Sequence, residues 1–269
     1  MSGNAPAIDT QVHLIDPQRF PFPEPPVGYV PNSDEVGTLA SLTQTLNLHG
    51  VEQAVLVSAS VYGSDNRILI EAIDRHPDRF RTIVTATTKR ELRDIAEISG
   101  VVGARLNLVD GKTNPNGDAG LAEQIVDADL ILQLQAAPAM THQLLDTMER
   151  PDAEVILDHF GRADLAKDTG DFDNLLALSQ RPNTYLKASA TFRLNHSPIP
   201  GVSDEQGQRQ LIEAFGRERI LWGSDWPFIN FAGPKPTYEA TLNTLTSLTG
   251  ADWQTAADAN ARRLFGWPL

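Results

Sequence analysis

The sequence contains no cysteine. Disulfide bonds and thiolate metal sites are therefore excluded, and the composition fits a reducing cytoplasm. Positive charge is scarce: 22 Lys and Arg stand against 35 Asp and Glu, a formal net charge of −13. A surface of that sign does not attract phosphate backbones, so no nucleic-acid partner is expected. An anionic small molecule stays open, because a local arginine cluster outweighs the global charge within a few ångströms. Long apolar runs are also missing. None approaches the ~20 residues that span a bilayer, so no membrane partner is expected. The opening Met-Ser-Gly-Asn-Ala-Pro-Ala has neither the basic nor the apolar region of a signal peptide. No Gly-x-Gly-x-x-Gly follows the first apolar run, which weighs against a dinucleotide-binding open sheet.

What is present is a regular alternation. Short β-branched runs fall at Ala7–Leu14, Gln53–Ser58, Thr82–Ala86, Val101–Leu108, Leu130–Gln135, Glu154–Asp158, Thr184–Ser189 and Arg219–Gly223. Between them lie segments with helical spacing, such as Leu39, Leu42 and Leu46, or Ile68, Ala72 and Ile73. Strands alternating with helices imply βαβ units and a parallel sheet. Eight such units in 269 residues match a closed (β/α)8 barrel in count and size. Residues 1–269 are expected to form one domain, closed by a helix from Asp252 that ends near Gly266. Two proline-bearing connections interrupt the pattern, Asp16 to Asn32 and Phe192 to Asp204. Both follow strands on the side where such barrels carry their chemistry.

Polar residues gather at those strand ends. The first strand carries Gln11 and His13, two apart and so on one face. The fourth carries Arg105 and Asn107, the fifth Gln133 and Gln135, and the seventh Lys187 and Ser189, with Arg193 just beyond. The sixth ends in Asp158-His159 with Arg162 following, and the eighth runs into Ser224-Asp225-Trp226-Pro227. Each alone has an ordinary structural explanation: a packed histidine, an ion-paired arginine, an aspartate capping a turn. Together they imply a shared polar site, since buried charges are costly unless paired. His49, His76, His142 and His196 have no such company and read as surface or loop residues.

Six segments carry a family resemblance: Ile8–His13, Gly63–Asn66, Gly103–Asn107, Leu157–Arg162, Leu186–Ser189 and Trp222–Pro227. In this order they resemble the acidic-lactone hydrolase branch of the amidohydrolase superfamily (amidohydrolase-2 type), the branch of the 2-pyrone-4,6-dicarboxylate lactonases. The resemblance implies a (β/α)8 barrel that hydrolyses a lactone with an activated water. It implies Asp225 as general base and His13 and His159 beside it. Arg105, Arg162 and Arg193 would hold substrate carboxylates. Gln11 departs from the usual first histidine of the His-x-His pair, and Gln135 stands where relatives carry a strand-5 histidine. An amide is a poor ligand for zinc or manganese. The expectation is therefore a metal-free enzyme without cofactor. The alternative is one Zn or Mn ion held by His13, His159 and Asp225.

These residues suggest a mechanism. Asp225 would take a proton from water, while His13, His159 and Gln11 stabilise the oxyanion. Asn66, Tyr62 and Lys187 would line the substrate pocket. The partner expected is a small acidic lactone, and a homo-oligomer stays open. Three rival readings also stay open: a metal-dependent hydrolase, an aldarolactone isomerase, and a barrel that only binds an anion.

Overall fold

The computed structural model describes residues 6–109, 115–163, 169–194 and 204–268. Eight parallel strands follow one another in chain order around one sheet. They are β1 (Ile8–Val12), β2 (Gln53–Val57), β3 (Phe80–Val84), β4 (Val101–Asn107), β5 (Ile131–Gln135), β6 (Val155–Leu157), β7 (Thr184–Ser189) and β8 (Ile220–Gly223). Helices α1 (Leu39–His49), α2 (Arg67–Arg75), α3 (Lys89–Ala96), α4 (Pro115–Asp127), α5 (Pro138–Thr147), α6 (Thr169–Leu178) and α7 (Asp204–Phe215) alternate with them. After β8 come α8 (Tyr238–Leu242), α9 (Thr244–Thr249) and α10 (Ala251–Phe265). The expected (β/α)8 architecture is present.

The sheet closes on itself through backbone bonds. Val12 bridges Trp226 in parallel. The His13 N–H donates to the Trp226 carbonyl at 2.8 Å and the Asp225 N–H to the Gln11 carbonyl at 2.8 Å. The two chain segments that carry His13 and Asp225 are thus stitched together just past the ends of β1 and β8.

Strand boundaries differ slightly from the expected ones. β3 begins two residues early, because Ala54 pairs with Phe80 and Leu56 with Thr82 across the β2–β3 ladder. His13 lies beyond β1. Helix ends follow local chemistry. Thr38 caps α1 by accepting the Ser41 N–H, and Gly50 ends it in the left-handed conformation at φ 71°. α10 ends at Phe265 with Gly266 as its left-handed cap at φ 71°. Residues 195–203, most of the second proline-bearing connection and including His196, lie outside the described residues. Among the described residues no helix is long and apolar enough to cross a membrane.

Inside the barrel, alternation sorts the side chains into layers. One cluster joins Ile8, Val55, Val57, Ile83, Ile131, Ile156 and Leu221, with Phe265 and Trp267 from the C-terminal segment packed into it. On β4, β5 and β7 the next inward residues are Arg105, Gln133 and Lys187, and the ladder pairs Arg105 with Gln133. A barrel interior is ordinarily filled with branched aliphatics; here its upper half is charged. Gly223 makes room for this layer. A Cβ placed on it would lie 2.5 Å from the Gln11 Cβ and 2.9 Å from the Gln11 nitrogen. Gly223→Ala is accordingly expected to cost about 1–3 kcal/mol by overpacking. Denaturant titration checks this, and an unchanged midpoint would show that the β1–β8 seam gives way freely.

Candidate active site

β8 delivers its chain into a tight turn. Asp225 there has φ 67°, a conformation that non-glycine residues hold only when neighbours enforce it. The neighbours are identifiable. The Ser224 N–H donates to Asp9 Oδ1 at 3.0 Å, the Gln11 N–H donates to the same oxygen at 3.1 Å, and the Tyr238 hydroxyl donates to Asp9 Oδ2 at 2.9 Å. Asp9 is fully buried. Burial pushes its carboxyl up to about 6, against the hydrogen bonds from Ser224, Gln11 and Tyr238.

The Asp225 carboxylate is the point of convergence. His13 Nε2 lies 3.2 Å from Oδ1 and His159 Nε2 lies 3.6 Å from the same oxygen. Arg193 Nε donates to Oδ2 at 2.6 Å. Burial alone would raise this carboxyl, but Arg193, His159 and His13 outweigh it and hold the group well below its ordinary value of 3.8. The imidazoles are aimed from behind. His13 donates from Nδ1 to the Val57 carbonyl at 2.8 Å. His159 Nδ1 bonds the Ser189 hydroxyl at 2.9 Å. Burial drives His159 down to about 3, against the pull of Asp225 and Asp158, so the ring is neutral at neutral pH.

A cavity of about 400 Å³ opens above Asp225. Its polar lining includes His13, Ser60, Arg105, Asn107, Gln135, His159, Arg162, Arg193 and Asn230. Its apolar lining includes Val61, Val109, Ile229 and Phe231, with Tyr29 from the first long loop. Arg105 is fixed by Asp158, to which Nε donates at 3.0 Å, and by a bond to Gln135 Oε1. Burial, with Arg193 and Arg105 nearby, lowers the Arg162 guanidinium from its ordinary value.

The amidohydrolase family profile matches residues 8–267. The chain belongs to the amidohydrolase family. Its relatives include the 4-sulfomuconolactone hydrolase of Rhizobium radiobacter, 28% identical over 239 residues, which are 85% of this chain and 78% of that one. The 2-pyrone-4,6-dicarboxylate hydrolase of Comamonas testosteroni is 28% identical over 251 residues, 86% of this chain and 80% of that one. These relatives are lactone hydrolases, enzymes that act on ester bonds. Among solved structures, a Pseudomonas putida protein described as a 2-pyrone-4,6-dicarboxylic acid hydrolase superposes with a TM-score of 0.79 at 28% identity, covering 99% of each chain. A similarly described Acinetobacter baumannii protein, with citric acid bound, matches at TM-score 0.79 and 26% identity over 97% of this chain and 99% of that one.

Within this amidohydrolase, the site residues expected from sequence fall at three depths. His13, His159, Asp225, Arg105, Arg162 and Arg193 meet at the cavity. Gln11 and Lys187 are fully buried beneath it. Lys187 Nζ donates to Gln11 Oε1 at 2.6 Å and to Gln133 Oε1 at 2.7 Å. Burial lowers the ammonium to about 8, against the pull of Asp158. Tyr62 and Asn66 stand behind the wall rather than in it. The Tyr62 hydroxyl accepts the Asp16 N–H at 3.0 Å. Asn66 clips two loops together, donating to the Ser64 and Thr85 carbonyls and accepting the Thr85 N–H. The lining from that region is Ala59, Ser60 and Val61. His49, His76 and His142 lie away from the cavity. His142 pairs with Asp146 at 2.9 Å.

Sequence reasoning placed Asp158 at the end of the sixth strand without a role; alternation from Ile156 signalled that it is the anion of the layer beneath. It missed Asp9, Tyr29 and the segment 229–233, which no local pattern announced.

A metal ion would look to His13, His159 and Asp225. The donor set does not fit one. Asp225 Oδ2 is taken by Arg193, Gln11 Oε1 by Lys187 and Gln133, and Gln135 Oε1 by Arg105. Three guanidinium groups share the cavity, so a dication would enter a field already positive. Among the described residues no group of three His, Asp or Glu side chains is arranged to hold an ion.

Proposed function

We propose that this amidohydrolase opens the ring ester of a small, carboxylate-bearing lactone, using water and no metal ion. One observation carries the reading: two imidazole nitrogens and a guanidinium converge on the single buried carboxylate of Asp225, at a cavity that also holds Arg105 and Arg162. The relatives named for sulfomuconolactone and pyrone dicarboxylate support the same substrate class.

In this reading Arg105 and Arg162 grip substrate carboxylate; Arg105 does so by one edge only, since Asp158 and Gln135 already hold its other nitrogens. Asp225 accepts a proton from water as the hydroxide oxygen adds to the ring carbonyl. Nε2 of His159 faces the developing oxyanion, where one donor is worth roughly 3 kcal/mol, while His13, whose Nδ1 proton goes to Val57, lies against Asp225. The carbonyl re-forms, the ring C–O bond breaks, and Asp225 returns its proton to the departing oxygen. Water is consumed and one carboxylate is gained. Gln11 and Lys187 form the floor rather than touching substrate.

A carboxyl held so low is a weak base. Arg193 supplies the remedy. When it turns from Asp225 to a substrate carboxylate, the strongest pull on Asp225 is lost and its proton affinity rises. The base is active when ionised, so activity disappears as pH falls through its pKa. The acid limb of kcat/KM, which reports free enzyme, is expected below pH 4, from a carboxyl already below 3.8. The limb of kcat, which reports the complex, should lie higher, as expected when a paired cation leaves a carboxylate. Arg193→Gln should erase the difference. Coincident limbs in the parent enzyme would remove Arg193 from this role.

The deciding experiment is a screen of acidic lactones, read as acid release in weak buffer, with and without chelator. Turnover that survives chelation supports the proposal. Activity lost to chelator and restored by Zn or Mn, or substrate conversion without acid release, refutes it.

A further inference from the structure

Glu35 ends a short 3-10 turn, Ser33–Glu35, in the first long loop. It is almost fully buried at 1% exposure. Its carboxylate gathers groups from two loops. On Oε2 it accepts the Tyr29 hydroxyl at 2.5 Å and the Asn32 N–H at 2.7 Å. On Oε1 it accepts the Asn230 N–H at 2.9 Å, with Lys235 Nζ at 3.5 Å.

Both loops wall the cavity. Tyr29 lines it from the first loop and Ile229, Asn230 and Phe231 from the second. The second loop is not in a relaxed conformation. Asp225, Phe228 and Asn230 have φ of 67°, 64° and 54°, and such backbone persists only where surrounding bonds over-determine it. Two side chains supply those bonds from outside the loop. Glu35 holds the Asn230 N–H, and Arg193 holds the Ile229 and Asn230 carbonyls at 2.6 and 3.1 Å. The same guanidinium bonds Asp225.

We infer that Glu35 is a positioning residue of this site: it clamps the Tyr29 loop to the Asn230 loop, and through Asn230 and Arg193 it helps set the Asp225 carboxylate. A consequence is that the Tyr29 hydroxyl is committed to Glu35, so the cavity receives the ring of Tyr29 rather than a free donor. The inference rests on the proposed reading only in taking this cavity as the anion-binding site.

The test uses full-length protein and two readouts that need no turnover. Hydrogen exchange measures the clamp, and calorimetric titration with citrate measures the anion site. Glu35→Ala is expected to speed exchange at least tenfold in both 27–32 and 229–233, with β1 and β8 unchanged, and to weaken citrate binding fivefold or more. Glu35→Gln keeps the size but places an amide N–H against one set of donors; it should loosen the same two segments by a smaller factor. Where lactone turnover is measurable, Glu35→Gln should lower kcat as well as raise KM, because Asp225 is disturbed.

Acceleration confined to 27–32, with 229–233 as protected as in the parent, overturns the clamp. So does a Glu35→Gln variant indistinguishable from the parent in both readouts, which keeps the test decisive should Glu35→Ala fail to fold. Loosened loops with unaltered citrate affinity would overturn the link to the site. An absence of citrate binding in the parent would count against the reading of the cavity as an anion site, while exchange still decides the clamp.

Discussion

Asp225→Asn is expected to lower kcat by roughly 10²–10⁴-fold, the range by which a positioned general base contributes. Asparagine has nearly the same shape and cannot accept the proton from water. It is also among the few residues that adopt the left-handed backbone readily, so φ of 67° at this position poses no obstacle to folding. KM should change less than kcat, because Arg105 and Arg162 still hold the substrate. The variant does leave Arg193 without its anionic partner at 2.6 Å, so circular dichroism and a melting curve belong beside the kinetics. A folded variant with near-parental turnover would remove Asp225 from the chemistry and leave the converging imidazoles without a purpose.

The second large effect is expected on stability. Asp158 is fully buried between two cations, with Arg105 Nη2 at 2.9 Å and Lys187 Nζ at 3.6 Å. Burial alone would raise its carboxyl, but Arg105 and Lys187 outweigh that and hold it below its ordinary value. Removing one member of a buried ion pair strands the other, at about 3–5 kcal/mol. Asp158→Asn should therefore lower Tm by roughly 6–20 °C, given about 2–4 °C per kcal/mol in a domain near this size.

The loss should depend on pH in a definite direction. Lys187, already lowered to about 8 by burial, is lowered further without Asp158. At pH 9 it is largely neutral in both folded proteins, so the variant loses less there. At pH 6 the parent keeps a paired ammonium and the variant must bury an unpaired one or release its proton. Thermal melts at the two pH values check this. A deficit that is equal or larger at pH 9 would mean that Lys187 does not sense Asp158.

Much of the site was legible because strand alternation is rigid. Residues two apart on a strand share a face, and so Arg105 with Asn107, Gln133 with Gln135, and Lys187 with Ser189 could be assigned inward before any coordinates. Alternation does not report depth along the barrel axis. Lys187 on β7 and Arg105 on β4 both point inward. One ends buried against Gln11 and Gln133 while the other reaches the cavity, where Arg105 bonds Gln135 of the lining. Asn66, in a family segment, and its neighbour Tyr62 were expected to line the pocket and face the loops instead.

The linear order of residues by itself determined the eight-unit alternation, the faces of the strands, and which strand ends hold imidazole, guanidinium and carboxylate. Those features are local, set by a repeat of two along strands and by the spacing between elements. Folding alone decided that Asp9 would brace the turn before Asp225, that Arg193 would lie on that carboxylate, and that Glu35 would meet Asn230, 195 positions along the chain. Such contacts join segments whose separation carries no periodic signal, and their geometry exists only once the barrel has closed.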